Sequence, residues 1–85
     1  MNKFIISNHA KSQFKRRGLR EELIEEITNN PDQIIEKESC MYIYQSLIND
    51  NGNNYLVRIF VNVCKDPKVI VTGYKTSKIN KYYEG

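Results

Sequence analysis

One histidine, two cysteines and four glycines are all that 85 residues contain of these types, and each scarcity removes a class of chemistry. With His9 as the sole imidazole, and acids gathered on one helix, no residues have the spacing of a metal site. The glycines form neither a phosphate loop nor a nucleophile elbow. No metal and no cofactor is expected. Two cysteines are too few for a disulfide framework, and neither Cys40 nor Cys64 has a second Cys or His at ligand spacing. Both are expected as free thiols that fill small volumes. Long apolar runs are also missing. The stretches around Ile59 and Ile70 are strand-length and interrupted, which predicts no membrane partner, and no signal-like apolar core follows Met1, which predicts a cytoplasmic protein.

A chain of this length has room for one domain, 1–85, and one core. Its net charge of +3 is unevenly placed. Residues 1–20 hold six cations and no acid, residues 21–40 hold seven acids and one lysine, and residues 61–85 return to +3. Basic ends can face phosphates or an acidic protein, with the acidic segment turned away. A plain solvated surface is the alternative.

No repeat or linker divides the chain. The pattern predicts an α+β domain, two N-terminal helices packed on a three- to four-stranded antiparallel sheet. Ser7 or Asn8 caps a first helix running to about Arg17, and Gly18 suits the left-handed residue that ends it. Leu19, Leu23 and Ile27 repeat every four residues with Ile24 alongside, giving a second helix from about Arg20 to Asn29. Glu21, Glu22, Glu25 and Glu26 take its solvent side, and Asn30-Pro31 stops it. Strands are expected at Gln33–Lys37, Cys40–Ile48, Tyr55–Val63 and Val69–Thr76, with a hairpin at Asp50-Asn51-Gly52-Asn53 and a turn at Lys65–Lys68. Residues 77–85 read as a polar, mobile tail.

Strand register decides which side chains meet. Burying the valine faces against the helices sets Arg58 level with Tyr74. The same reasoning points Met41, Ile43 and Leu47 inward, and Tyr42 and Tyr44 outward beside Arg58. An exact two-residue turn at Asn51-Gly52 contradicts that pairing, and the burial pattern is preferred over it.

Arginine is almost never buried without a partner. Flanked by Tyr42, Tyr44, Phe60 and Tyr74, Arg58 can clamp a phosphate while the rings stack on bases. The bland reading is a guanidinium packed on aromatic rings, or paired with Glu36 or Glu38. His9 stands in the first turn of a helix, where the positive end of the dipole disfavours the imidazolium, and a neutral ring can draw the proton from a ribose 2′-hydroxyl. It can equally be a mere helix-end residue. The set predicts a ribonuclease that works by 2′-hydroxyl transesterification without a metal: His9 as base, Arg58 against the charge on phosphorus, and Tyr74 orienting or protonating the leaving oxygen. Lys11, Arg16, Arg17, Tyr42, Tyr44, Thr72, Lys75 and Lys78 are the expected RNA contacts.

His9-Ala10, Arg17-Gly18-Leu19, the Glu-rich helix ending at Asn30-Pro31-Asp32, and Val71-Thr72-Gly73-Tyr74 together resemble a small bacterial domain family related to the BrnT and RelE/ParE toxins. The resemblance covers about residues 7–78. It implies a RelE/BrnT-like α+β domain, RNA or the ribosome as target, and a small acidic antitoxin-like partner encoded alongside. By position, His9 and Arg17 match the helix motif and Thr72 and Tyr74 the strand motif, with Arg58 at a basic strand position. Gln13 stands where relatives carry arginine, and Arg20 where they carry a serine or threonine cap. Some relatives inhibit by binding alone, so the competing expectation is a non-enzymatic module that grips a protein through its exposed aromatic sheet face. Oligomeric state is left open by the sequence.

Overall fold

The computed structural model describes residues 4–84 as a five-stranded sheet with two helices on one face and a short helix on the other. Strand β1 (Phe4–Ile6) leads into helices α1 (Asn8–Arg16) and α2 (Glu21–Asn29). Strands β2 (Gln33–Glu36), β3 (Met41–Asp50), β4 (Asn53–Asn62) and β5 (Lys68–Thr76) follow, and α3 (Ile79–Tyr82) closes the chain. The sheet order is β1-β5-β4-β3-β2. β2 to β5 form an antiparallel meander, and β1 pairs parallel to β5. The α+β class therefore stands, but the sheet is mixed and has one strand more than the three or four expected. Phe4-Ile5-Ile6 is too short to show a period; Ser7 ends it by donating its amide to the Ile70 carbonyl at 3.0 Å.

The helices start and stop for local reasons. Ser7 caps α1, its hydroxyl oxygen accepting from the Ala10 amide at 3.1 Å. At the other end Gly18 has φ +70°, and the Leu19 amide reaches back to the Phe14 carbonyl at 2.8 Å. That is a Schellman turn, and it swings Leu19 into the core at 4% exposure. Arg20 begins α2 with no side-chain cap, so Glu21 and Glu22 in the first turn supply the favourable charge instead.

Ala10, Phe14, Leu19, Ile24 and Ile27 pack on Tyr44, Val57, Ile59, Val61 and Ile70 to form the core. Tyr44 meets Phe4 edge to face at 5.7 Å. Gly73 lets α1 come this close: a Cβ there would lie 2.8 Å from Phe14 Cε1 and 3.0 Å from the Arg58 carbonyl oxygen.

Two further expectations are overturned. The first is the register of β3. Asn51 (φ 54°) and Gly52 (φ 84°) form a two-residue turn of the type that matches strand twist, so Asp50 pairs with Asn53 and the ladder follows from there. Tyr42 and Tyr44 then face the helices opposite Val61 and Ile59, whereas Ile43, Gln45 and Leu47 face the other way. The burial argument fails because both faces of this strand are covered: Ile43 is buried as fully as Tyr44.

The second is the cysteines. Cys40 and Cys64 are joined by a disulfide, not free. The bond ties the start of β3 to the loop after β4, beside the Val63 amide's 2.9 Å hydrogen bond to the Cys40 carbonyl. Once the turn sets the register, Met41 pairs with Asn62 and Cys40 meets Val63, which leaves Cys64 one residue beyond its partner. Disulfides belong to oxidising compartments, so the cysteines no longer argue for a cytoplasmic protein. Among the described residues no helix is long and apolar enough to cross a membrane.

Candidate nucleic-acid interface on the second sheet face

The register aligns four polar side chains in one row across four strands. Gln33 pairs with Gln45, Gln45 with Arg58, and Arg58 with Tyr74. All four side chains are hydrogen-bonded in series. Gln45 Nε2 donates to Gln33 Oε1 at 2.7 Å, Arg58 Nε donates to Gln45 Oε1 at 2.9 Å, and an Arg58 terminal nitrogen donates to the Tyr74 hydroxyl at 2.8 Å. Arg58 fixes the whole row. A guanidinium only donates, so the Gln45 oxygen must turn toward it, and its NH2 group must then find acceptors on the β2 side. Because the Tyr74 oxygen accepts from Arg58, its own proton is free to donate elsewhere.

Arg58 is 9% exposed and alternates with Val57 and Ile59, so it lies on the face opposite α1 and α2. No carboxylate neutralises it: the one ion pair among the described residues joins Lys75 to Asp50 at 3.3 Å. Two of its five N–H groups are used by side chains. The rest of its environment is aromatic, with the guanidinium carbon 4.3 Å from the Tyr82 ring centre, 5.8 Å from Phe60 and 5.9 Å from Tyr74.

The C-terminal segment lies over this row. The Tyr82 carbonyl accepts from Gln45 Nε2 at 3.2 Å, and the Glu84 amide donates to Gln33 Oε1 at 3.1 Å. Gln33 Nε2 donates in turn to the Glu84 carbonyl. The Tyr82 hydroxyl is held below the usual phenol range, chiefly by the Lys81 ammonium, with hydrogen bonds from Lys81 and Tyr74 and the Arg58 charge adding to it. Tyr44, on the helix side, is pushed above that range by burial and by Tyr42.

The structure brings Arg58 and Tyr74 together and leaves the other expected residues elsewhere. His9 is exposed on α1, so the sheet stands between it and Arg58; base and clamp share no groove. Lys11 and Arg16 are exposed on the same helix. Lys11, Lys15 and Arg20 rim a cleft of about 500 Å³ at the α1–α2 corner, floored by Phe14 and Leu19. Arg17 donates to the Gly73 carbonyl at 2.6 Å, and Thr72 bonds Gln13, which ties the helix motif to the strand motif. Lys75 is engaged by Asp50 and by the Tyr55 ring at 4.6 Å. Lys78 is exposed at the start of α3. Tyr42 and Tyr44 are withdrawn from the Arg58 face, as the register requires. Sequence reasoning missed Gln33, Gln45 and Tyr82. The Asn51-Gly52 turn carried the signal for Gln45, since it alone sets that residue opposite Arg58.

Residues 6–75 match the family model described as "Domain of unknown function (DUF4258)". The chain belongs to this family. No curated protein and no solved structure matches it. The matched region holds the entire Gln33–Gln45–Arg58–Tyr74 row and stops short of α3. The covering segment of this DUF4258 member lies outside the matched stretch.

Proposed function

We propose that the domain recognises RNA with the second face of its sheet, Arg58 taking a phosphate, and that it acts as a toxin-like ribonuclease. The observation that carries this reading is a guanidinium nine-tenths buried with no acid beside it. A buried charge without a counter-ion is expensive to keep. An anion that enters the row supplies the missing partner, and a phosphate offers two adjacent oxygens that a planar guanidinium fork can grip together. Phe60 and Tyr74 around it suit stacking on single-stranded bases.

For 2′-hydroxyl transesterification, the 2′-oxygen bonds to phosphorus as the bond to the 5′-oxygen breaks. Water takes the 2′-hydroxyl proton, Arg58 offsets the charge that builds on phosphorus, and the Tyr74 hydroxyl, which accepts from Arg58, gives its proton to the leaving oxygen. His9 takes no part at that phosphate, because it opens on the other side of the sheet. The side chains bonded to Arg58 are an amide and a phenol, neither of them a ligand set for a cation, which favours chemistry without a metal. Resemblance to the BrnT and RelE/ParE toxins supports an RNA or ribosome target and an acidic neutralising partner. The competing protein-binding module loses two of its four aromatic anchors, Tyr42 and Tyr44, to the helix side and keeps Phe60 and Tyr74.

The test is cleavage of RNA in EDTA, with and without ribosomes, by wild type, Arg58→Gln, Tyr74→Phe and His9→Ala. Cleavage lost in the first two variants and kept in His9→Ala is expected. Cleavage that survives Arg58→Gln overturns the assignment, and no cleavage by wild type in either arm overturns the enzyme.

A further inference from the structure

We propose that residues 79–84 are an intramolecular stand-in for the RNA ligand, a strap that must leave the sheet before a nucleotide can bind. The inference rests on the Arg58 reading above. The strap meets the open face of Arg58 and both amide side chains of the row. The Tyr82 ring sits 4.3 Å over the guanidinium, where a base would stack, and the Tyr82 carbonyl takes the Gln45 N–H that would serve a base or sugar oxygen. The Glu84 backbone uses both functions of the Gln33 amide, as a base edge would.

The strap is also weakly held. α3 is a single turn of four residues with none buried, and the strap is held on the row only by hydrogen bonds to two amide side chains and by the Tyr82 side chain against Arg58 and Tyr74. A helix that short has no stability of its own. Beside it a hollow of about 450 Å³, lined by Leu47, Ile48, Asn49, Asn54 and Ile79, leaves part of the same sheet face unfilled. Ligand and strap compete for one set of donors, so the apparent affinity for RNA is the intrinsic affinity reduced by the fraction of molecules with the strap off.

The experiment uses the full chain and a labelled single-stranded RNA oligonucleotide, read by fluorescence anisotropy. Tyr82→Ala is expected to bind about tenfold more tightly than wild type, the factor that one desolvated cation–π contact is worth. Adding Arg58→Gln to that variant is expected to abolish the gain. Hydrogen exchange on the wild-type chain gives an independent reading: RNA should speed exchange of the amides at 79–84 while slowing those of β4. If Arg58→Gln weakens binding but Tyr82→Ala does not strengthen it, or if RNA protects 79–84, the strap is overturned and the Arg58 site stands. If Arg58→Gln leaves RNA binding intact, the site fails and the strap with it.

Discussion

Gln45 and Arg58 face each other directly across β3 and β4, and the 2.9 Å bond from Arg58 Nε to Gln45 Oε1 joins a fully buried amide to a nine-tenths buried cation. Gln45 spends both amide hydrogens as well, on Gln33 and on the Tyr82 carbonyl. Gln45→Leu therefore strands a buried charge as well as losing three hydrogen bonds. A loss of about 2–3 kcal/mol is expected in urea unfolding. Lys75→Ala, which breaks an exposed pair, should cost less than about 1 kcal/mol in the same measurement. Equal losses would show that the row carries no more than a surface contact does.

Gly73→Ala tests the close approach of α1. The new methyl group meets Phe14 Cε1 at 2.8 Å and backbone at 3.0 Å, so α1 must shift outward. Overpacking of this kind costs about 1–3 kcal/mol. Phe14→Leu in the same chain should recover part of it, measured as a midpoint shift in thermal unfolding. An additive double variant would place the clash elsewhere.

Reducing the Cys40–Cys64 bond, or replacing both residues by serine, should lower stability by up to about 3 kcal/mol, since the bond closes a loop across 24 positions in the unfolded chain. The β3–β4 ladder still holds the two strands together, so the circular dichroism spectrum of the native fold should persist after reduction. A spectrum that collapses would mean that the bond, not the ladder, holds this end of the sheet.

Two tyrosines should leave the common titration curve in opposite directions. Tyr82 ionises early because Lys81 and Arg58 favour the phenolate, and Tyr44 ionises late because burial disfavours it. In an ultraviolet pH titration, Tyr82→Phe should remove the early part and Tyr44→Phe the late part. For stability the signs differ. The raised Tyr44 contributes fully below about pH 10, the unfolded value, and its contribution is lost as pH rises through the folded value. The lowered Tyr82 strengthens strap docking as pH climbs from its folded value toward about 10. A single unperturbed curve would contradict both placements.

Much of the fold was legible. The Ser7 cap, the Gly18 terminus, the acidic face of α2 and four of the five strands follow from local chemistry that the tertiary structure leaves unaltered. The level pairing of Arg58 with Tyr74 followed from burying Val57 and Ile59. The β3 register did not, because a face pattern is informative only when one face is wet. Here α3 covers the other face, and Ile43 and Tyr44 are equally good core residues. The Asn51-Gly52 turn was the stronger constraint, and following it would have revealed Gln45 opposite Arg58 and Cys40 near Cys64. His9 misled because sequence proximity to a basic cluster says nothing about which side of a sheet a helix covers. Tyr82 carried no local signal at all: a polar one-turn helix is set by what it docks on.

The account stands on Arg58 meeting an anion, and its side-chain Nε–H resonance reports that contact directly. Titrating the full chain with a short single-stranded RNA should shift this resonance saturably, and the Gln45 side-chain amide with it, while Arg16 on α1 stays in place. RNA that binds tightly yet leaves the Arg58 signal unmoved, with the shifts confined to α1, would contradict the central claim.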